Sequence, residues 1–110
     1  MKLYLDTSTP TVILRLDQDE FQWQANREMA KGILQFISSK LQEKNQEWQD
    51  IEDITFYSGP GSFTGLRIGA SVVNAMAHEL NIPLYDHNGD KHEVIIPNYG
   101  RPANTTPPKK

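Results

Sequence analysis

The stretch SGPGSFTGLRIG, Ser58 to Gly69, concentrates the residue types that do chemistry through the backbone. Gly59, Pro60, Gly61 and Gly65 alternate with the hydroxyls of Ser62 and Thr64, between an apolar run and a run of small residues. A loop of this kind at a helix start presents N–H groups and the positive end of a helix dipole, which suits an anion such as phosphate. Spacing tests the specific versions. A P-loop needs Gly, four residues, then Gly-Lys-Ser/Thr, whereas Gly59 is followed five positions later by Thr64, with no lysine near. Gly59, Gly61 and Gly65 form a G-x-G-x-x-x-G variant of the dinucleotide fingerprint, and Asp86 falls where a ribose-binding acid would sit. That reading requires a second half-sheet. A serine elbow around Ser62 would require glycine where Pro60 stands. The plain alternative is that the glycines shape a turn and Ser62 or Thr64 caps the following helix.

Other constellations are thinner. Asp86, His87, Asp90, His92 and Glu93 crowd a turn and have the chemistry for a divalent metal, but on a hairpin they point to both faces. Turn positions also favour Asp for backbone reasons, so no metal site is expected. Ser/His/Asp catalysis would need His78, His87 or His92 beside Ser62, and nothing in the spacing brings them there. Cysteine is absent, which removes disulfide and thiolate chemistry. The formal charge of −3 argues against broad affinity for nucleic acid, and only Arg101 to Lys110 is locally basic. Trp23 and Trp48 read as packing anchors, since no basic groove accompanies them. With no signal-peptide core and no apolar run long enough to span a bilayer, the expectation is a soluble cytoplasmic protein without membrane contact.

The elements that must position these residues follow from periodicity. Lys2 to Asp6, Thr11 to Leu16 and Phe21 to Ala25 read as three strands of an antiparallel meander. From Arg27 to Asn45 the period becomes helical, with Ala30, Leu34, Ile37 and Leu41 on one stripe and Met29, Ile33 and Phe36 widening it. Gly32 inside that helix marks either a weak point or a close approach. A strand over Ile51 to Tyr57, a helix from Ser62 or Thr64 to Leu80, and a strand from Pro83 complete a mixed α/β sheet. Asn88-Gly89 between two strand-like runs signals a hairpin. One domain over residues 1–97 and a flexible polar, proline-rich tail over 98–110 are expected.

The second helix has a surplus of apolar surface. Small residues (Gly65, Gly69, Ala70, Ala75) and large ones (Leu66, Ile68, Val72, Val73, Met76) leave polar groups mainly at Arg67, Asn74, His78 and Glu79. A sheet hides only one face of a helix. The remaining arc meets either the other helix or a partner, and Gly65 and Gly69, four apart, would let a second helix come close.

Taken together, LYLDTSTPTVILRL near the start and DITFYSGPGSFTGLRIGASVVNAMAHELNIPLY resemble the bacterial TsaB (YeaZ) family of the tRNA threonylcarbamoyladenosine (t6A) system. The resemblance covers about Met1 to Tyr85, with Gly59, Pro60, Gly61, Ser62, Phe63, Thr64 and Arg67 in its signature loop. It implies a single actin-like (ASKHA, ribonuclease H-like) domain, a mixed five-stranded sheet with two main helices plus a C-terminal hairpin. Asp6, Thr7, Ser8 and Thr9 then stand as a vestigial phosphate loop. The implied function is that of a non-catalytic scaffold or activator of the transferase TsaD, alongside the ATPase TsaE, touching tRNA only indirectly and needing no cofactor. Met29, Ile33, Phe36, Gly65, Gly69, Val73 and Met76 become candidates for the partner interface on two helices. The family usually carries a second actin-like domain, and nucleotide in such proteins lies between two domains. The alternatives are a small nucleotide-binding, ATPase-like domain, or a homodimer using the same helices.

Overall fold

The computed structural model describes residues 1–98. The tail expected over 98–110, with its basic residues from Arg101 onward, therefore lies outside the described residues except for Asn98. Strands β1 (Lys2–Asp6), β2 (Thr11–Leu16) and β3 (Asp19–Gln24) form the antiparallel meander. After a 3-10 turn at Asn26–Glu28 comes helix α1 (Met29–Glu43), a second 3-10 turn at Trp48–Asp50, and strand β4 (Asp53–Phe56) parallel to β1. Helix α2 (Phe63–Leu80) leads to β5 (Leu84–Asp86), parallel to β4. A short strand β6 (Lys91–His92) returns antiparallel to β5.

The sheet order is β3-β2-β1-β4-β5-β6. The hairpin expected beside a five-stranded sheet is thus its sixth strand. It is short because Asp86 and Asp90 close a tight turn at once, with Asp86 N–H donating to Asp90 O at 2.9 Å and Gly89 at φ +90°. Both crossovers, β3 through α1 to β4 and β4 through α2 to β5, join strands of the same direction and step the same way across the sheet, so with the usual handedness their helices share one face. Burial agrees. Leu3, Leu5, Val12, Leu14, Ile54 and Phe56 are all 1% exposed or less, while their neighbours along each strand are not buried.

Local signals end the helices. Asn81 takes the left-handed conformation at φ +56° after α2, and its N–H donates to Ala77 O and His78 O. Ser62 caps the start of α2, its Oγ accepting from Gly65 N–H at 3.2 Å. Gly32 proves to be a close approach: a Cβ there would lie 2.6 Å from Cη2 of Trp23, whose ring packs 5.4 Å from that of Phe36. No helix among the described residues is long and apolar enough to cross a membrane.

Candidate functional site

Two places follow from the sequence reading: the paired loops at the carboxyl ends of β1 and β4, and the outer surface of the two helices. The loops are stitched to each other. Asp6 Oδ1 accepts from both Ser8 N–H at 2.8 Å and Ser8 Oγ at 2.6 Å. Thr7, fully buried, donates its hydroxyl to Gly65 O at 2.7 Å, and Ser62 N–H donates to Ser8 O at 2.9 Å. Thr9 Oγ1 turns to the backbone of Thr11. The side chains of Asp6, Thr7 and Ser8 and the Ser62 amide are therefore engaged inside the protein, and the Gly65 amide at the helix start already has Ser62 as its acceptor. A Cβ at Gly61 would press on Ser8, and one at Gly65 on the Thr7 carbonyl. These glycines admit the neighbouring loop. Pro60, after Gly59 in a cis peptide, accepts the Tyr57 hydroxyl on its carbonyl at 2.9 Å. Phe63 stays 55% exposed, with Arg67 lying 5.4 Å over its ring and Thr64 exposed beside it.

The side chains picked from the sequence for a partner surface lie mostly inside the domain. Met29, Ile33, Phe36 and Val73 belong to its own core. Gly65 and Gly69 are buried against the β1 loop and β4: a Cβ at Gly69 would overlap Thr7 Oγ1 and come within 2.6 Å of Phe56 Cε1. The small-residue stripe thus brings helix to sheet rather than helix to helix. Gly69→Arg would consequently report on folding and not on docking. Met76 is 7% exposed but sits at the floor of a surface groove.

That groove runs between α1 and α2, lined by Leu34, Trp48, Val72, Ala75, Met76 and Leu80, and is almost wholly apolar. Leu34, which the sequence put on the inward stripe, is 53% exposed, and Ala30 one turn earlier is also exposed. The reversal has a cause on β3. Trp23 must enter the notch at Gly32 beside Phe36, and that contact rolls α1 until Leu34 faces outward. The i, i+4 pair of Ala30 and Leu34 was the available signal.

On its other flank α2 holds the chain after β6. Asn74 accepts Ile95 N–H on Oδ1 at 2.8 Å and donates its amide to Ile95 O at 3.1 Å, which seats Ile95 at 2% exposure. Asn98 N–H then donates to Ser58 O at 2.7 Å. No periodicity signals this clamp. At the hairpin, Asp86 accepts from Asn88 and Asp90 N–H on Oδ1 and from His92 Nε2 on Oδ2 at 2.7 Å. The His92 contact, followed by these amides, holds the Asp86 carboxyl below the ordinary range. Among the described residues no three His, Asp or Glu side chains are arranged to hold a metal ion. His87 Nδ1 accepts from Ser58 N–H at 3.3 Å, and its ring lies 4.5 Å from that of Tyr57, away from Ser62.

A meander followed by two same-sided crossovers, with facing loops after β1 and β4, defines an actin-like α/β domain. Comparison with known proteins sharpens this. Residues 23–88 match the family described as TsaD: tRNA N6-adenosine threonylcarbamoyltransferase. Over 86 residues the chain is 31% identical to the tRNA threonylcarbamoyladenosine biosynthesis protein TsaB of Haemophilus influenzae, covering 74% of this chain and 36% of that one. It is 29% identical over 79 residues to the tRNA N6-adenosine threonylcarbamoyltransferase of Nitrosomonas eutropha, covering 72% of this chain and 23% of that one. YeaZ from Pseudomonas aeruginosa superposes with a TM-score of 0.67 at 31% identity, over 77% of this chain and 42% of that chain. The chain belongs to this threonylcarbamoyltransferase family and, within it, to the TsaB/YeaZ proteins. It spans less than half the length of these relatives.

Proposed function

We propose that this domain is a non-catalytic docking subunit in t6A biosynthesis, pairing with TsaD through the α1–α2 groove. The observation that carries the reading is the groove itself, an apolar cleft flanked by the exposed Leu34 on a domain whose phosphate-type loops bond to each other. At the carboxyl ends of β1 and β4, Thr7 holds the start of α2 through Gly65, and Ser8 holds the loop before it through Ser62. Similarity to both TsaB and transferase sequences supports a paralogous partner, because two chains sharing this fold can present equivalent helix pairs to each other. In this reading residues 1–97 are the docking domain, TsaE joins the assembly through the pair, tRNA is met only through the complex, and the setting is the cytoplasm.

The test is size-exclusion and calorimetric titration against TsaD of the same organism. Leu34→Asp places a charge at the groove and leaves the core untouched. Loss of a central anchor raises Kd by about 30-fold, roughly 2 kcal/mol. A wild-type chain that forms no complex with TsaD, or a Leu34→Asp variant that binds equally well, rejects the proposal. A homodimer through the same groove is the second reading, since one apolar cleft can serve a twofold contact. It is distinguished by dimer at micromolar concentration that TsaD does not dissolve. A melting temperature raised by ATP would favour the nucleotide-binding alternative.

A further inference from the structure

Among the described residues, the parallel strands β1, β4 and β5 carry both helices on one face, and the chain after β6 is held beside α2 by Asn74. Parallel sheets occur almost only where both faces are covered. The uncovered face is built in rows. One row crosses the whole sheet in register: Glu20, Arg15, Tyr4, Thr55, Tyr85 and Lys91, one residue from each strand. Tyr4, Thr55 and Tyr85 at its centre are half-buried, whereas Glu20, Arg15 and Lys91 are exposed. The Arg15 guanidinium lies 4.6 Å over the Tyr4 ring and meets Glu20 at 2.9 Å. Lys91, at the opposite edge, has no ion pair among the described residues. Tyrosines at the centre with charges at the rim are the arrangement of a protein interface.

The row is complementary to itself. Strands β1 and β4 are the central pair of the six. A twofold axis between them and parallel to them sets β3 of one copy over β6 of the other, β2 over β5 and β1 over β4. Glu20 then faces Lys91, Arg15 faces Tyr85, and Tyr4 faces Thr55. Each end gains an ion pair, and each Arg15 guanidinium gains a second aromatic ring. One row toward the amino end of β1, Lys2 and Asp53 are joined at 2.9 Å on the two central strands, so each Lys2 also comes over the other copy's Asp53. An axis along the row would instead set every residue on itself, Glu20 on Glu20 and Lys91 on Lys91. Sheets stacked face to face lie about 10 Å apart, a gap that glutamate and lysine bridge from opposite sides. Six strands about 4.8 Å apart and five residues at about 3.3 Å give roughly 400 Å² in projection on each copy, the size of a weak and reversible contact.

We propose that the open sheet face is a docking surface for a second copy of this chain, stacked face to face about a twofold axis between β1 and β4. It lies on the side of the domain opposite the helix groove and is independent of pairing there. The test is sedimentation velocity and methyl NMR on the full chain from about 10 μM to about 1 mM, the range of a contact this small. The expected result is a sedimentation coefficient that rises with concentration while the Thr55 methyl shifts and the Leu34 and Ala75 methyls stay fixed. Glu20→Lys and Lys91→Glu, both on exposed side chains, each turn two attractive contacts into two repulsive ones and raise Kd about tenfold. An equimolar mixture of the two variants restores both ion pairs and with them the association, which a helix-face dimer would not do. Leu34→Asp leaves the association unchanged. A wild-type chain that stays monomeric at about 1 mM, or a mixture that associates no better than either variant alone, overturns the proposal. So does association abolished by Leu34→Asp, which would make the helix groove the contact between copies.

Discussion

Gly69→Ala is the sharpest test of how the loops and α2 are joined. A methyl at this position meets Thr7 Oγ1 and Phe56 Cε1 at once, neither of which is the free end of a mobile side chain. Phe56 is fully buried, and Thr7 is fixed by its bond to Gly65 O at 2.7 Å. Because both contacts must be relieved, α2 has to lift from β4 and Thr7 has to turn away and lose that bond. Overpacking costs about 1–3 kcal/mol and a broken buried hydrogen bond about 1–3 kcal/mol, while Gly to Ala in a helix returns about 1 kcal/mol. The net is about 3 kcal/mol of destabilisation, or roughly 12–24 °C in Tm for a domain of this size. Urea unfolding followed by circular dichroism, with thermal melts alongside, measures it. Gly32→Ala is the internal comparison: its methyl meets the outer edge of the partly exposed Trp23 ring alone, so overpacking of about 1–3 kcal/mol less about 1 kcal/mol of helix propensity leaves a loss of about 1 kcal/mol, smaller than at Gly69. Equal stability of Gly69→Ala and the wild type would refute the packing described here.

The clamp and the hairpin give two further expectations. Asn74→Ala leaves the Ile95 N–H and carbonyl without partners and costs about 1–3 kcal/mol, visible as faster amide exchange from Glu93 to Asn98 than in β4. Asp86 has its carboxyl pKa lowered in the folded state, first by His92 and then by the turn amides. Its stabilisation is therefore complete above the unfolded carboxyl value near 4 and is lost as pH falls through the lower folded value. Gly89 and His92 NMR signals should shift in that acid window while β1 signals stay fixed, and Asp86→Asn should abolish the difference.

Much of the architecture was legible because burial imposes period two on Leu3–Leu5 and Val12–Leu14–Leu16, and because Ser62 and Asn81 mark the ends of α2 with local chemistry. The outward face of α1 was not. Met29, Ala30, Ile33, Leu34, Phe36, Ile37 and Leu41 spread over an arc of about 160°, so periodicity cannot say which edge of that arc meets the sheet and which is left out. The answer comes from Trp23, some ten residues earlier on another element, and its fit to Gly32. Gly65 and Gly69 misled in a related way, since small residues four apart permit any backbone or ring to come close. Only the fold supplies Thr7 and Phe56 as the neighbours. The Asn74–Ile95 clamp joins a polar side chain to a backbone with no pattern of its own.

The two tryptophans divide an optical signal between them. Trp23 is wedged against Gly32 and Phe36, whereas Trp48 forms part of the wall of the α1–α2 cleft and is half-buried. Replacing Trp23 with phenylalanine would leave a single indole whose emission responds to water leaving that cleft. Fluorescence of the unlabelled chain would then follow occupancy of the helix face in real time, in a mixture containing whichever protein comes to cover it.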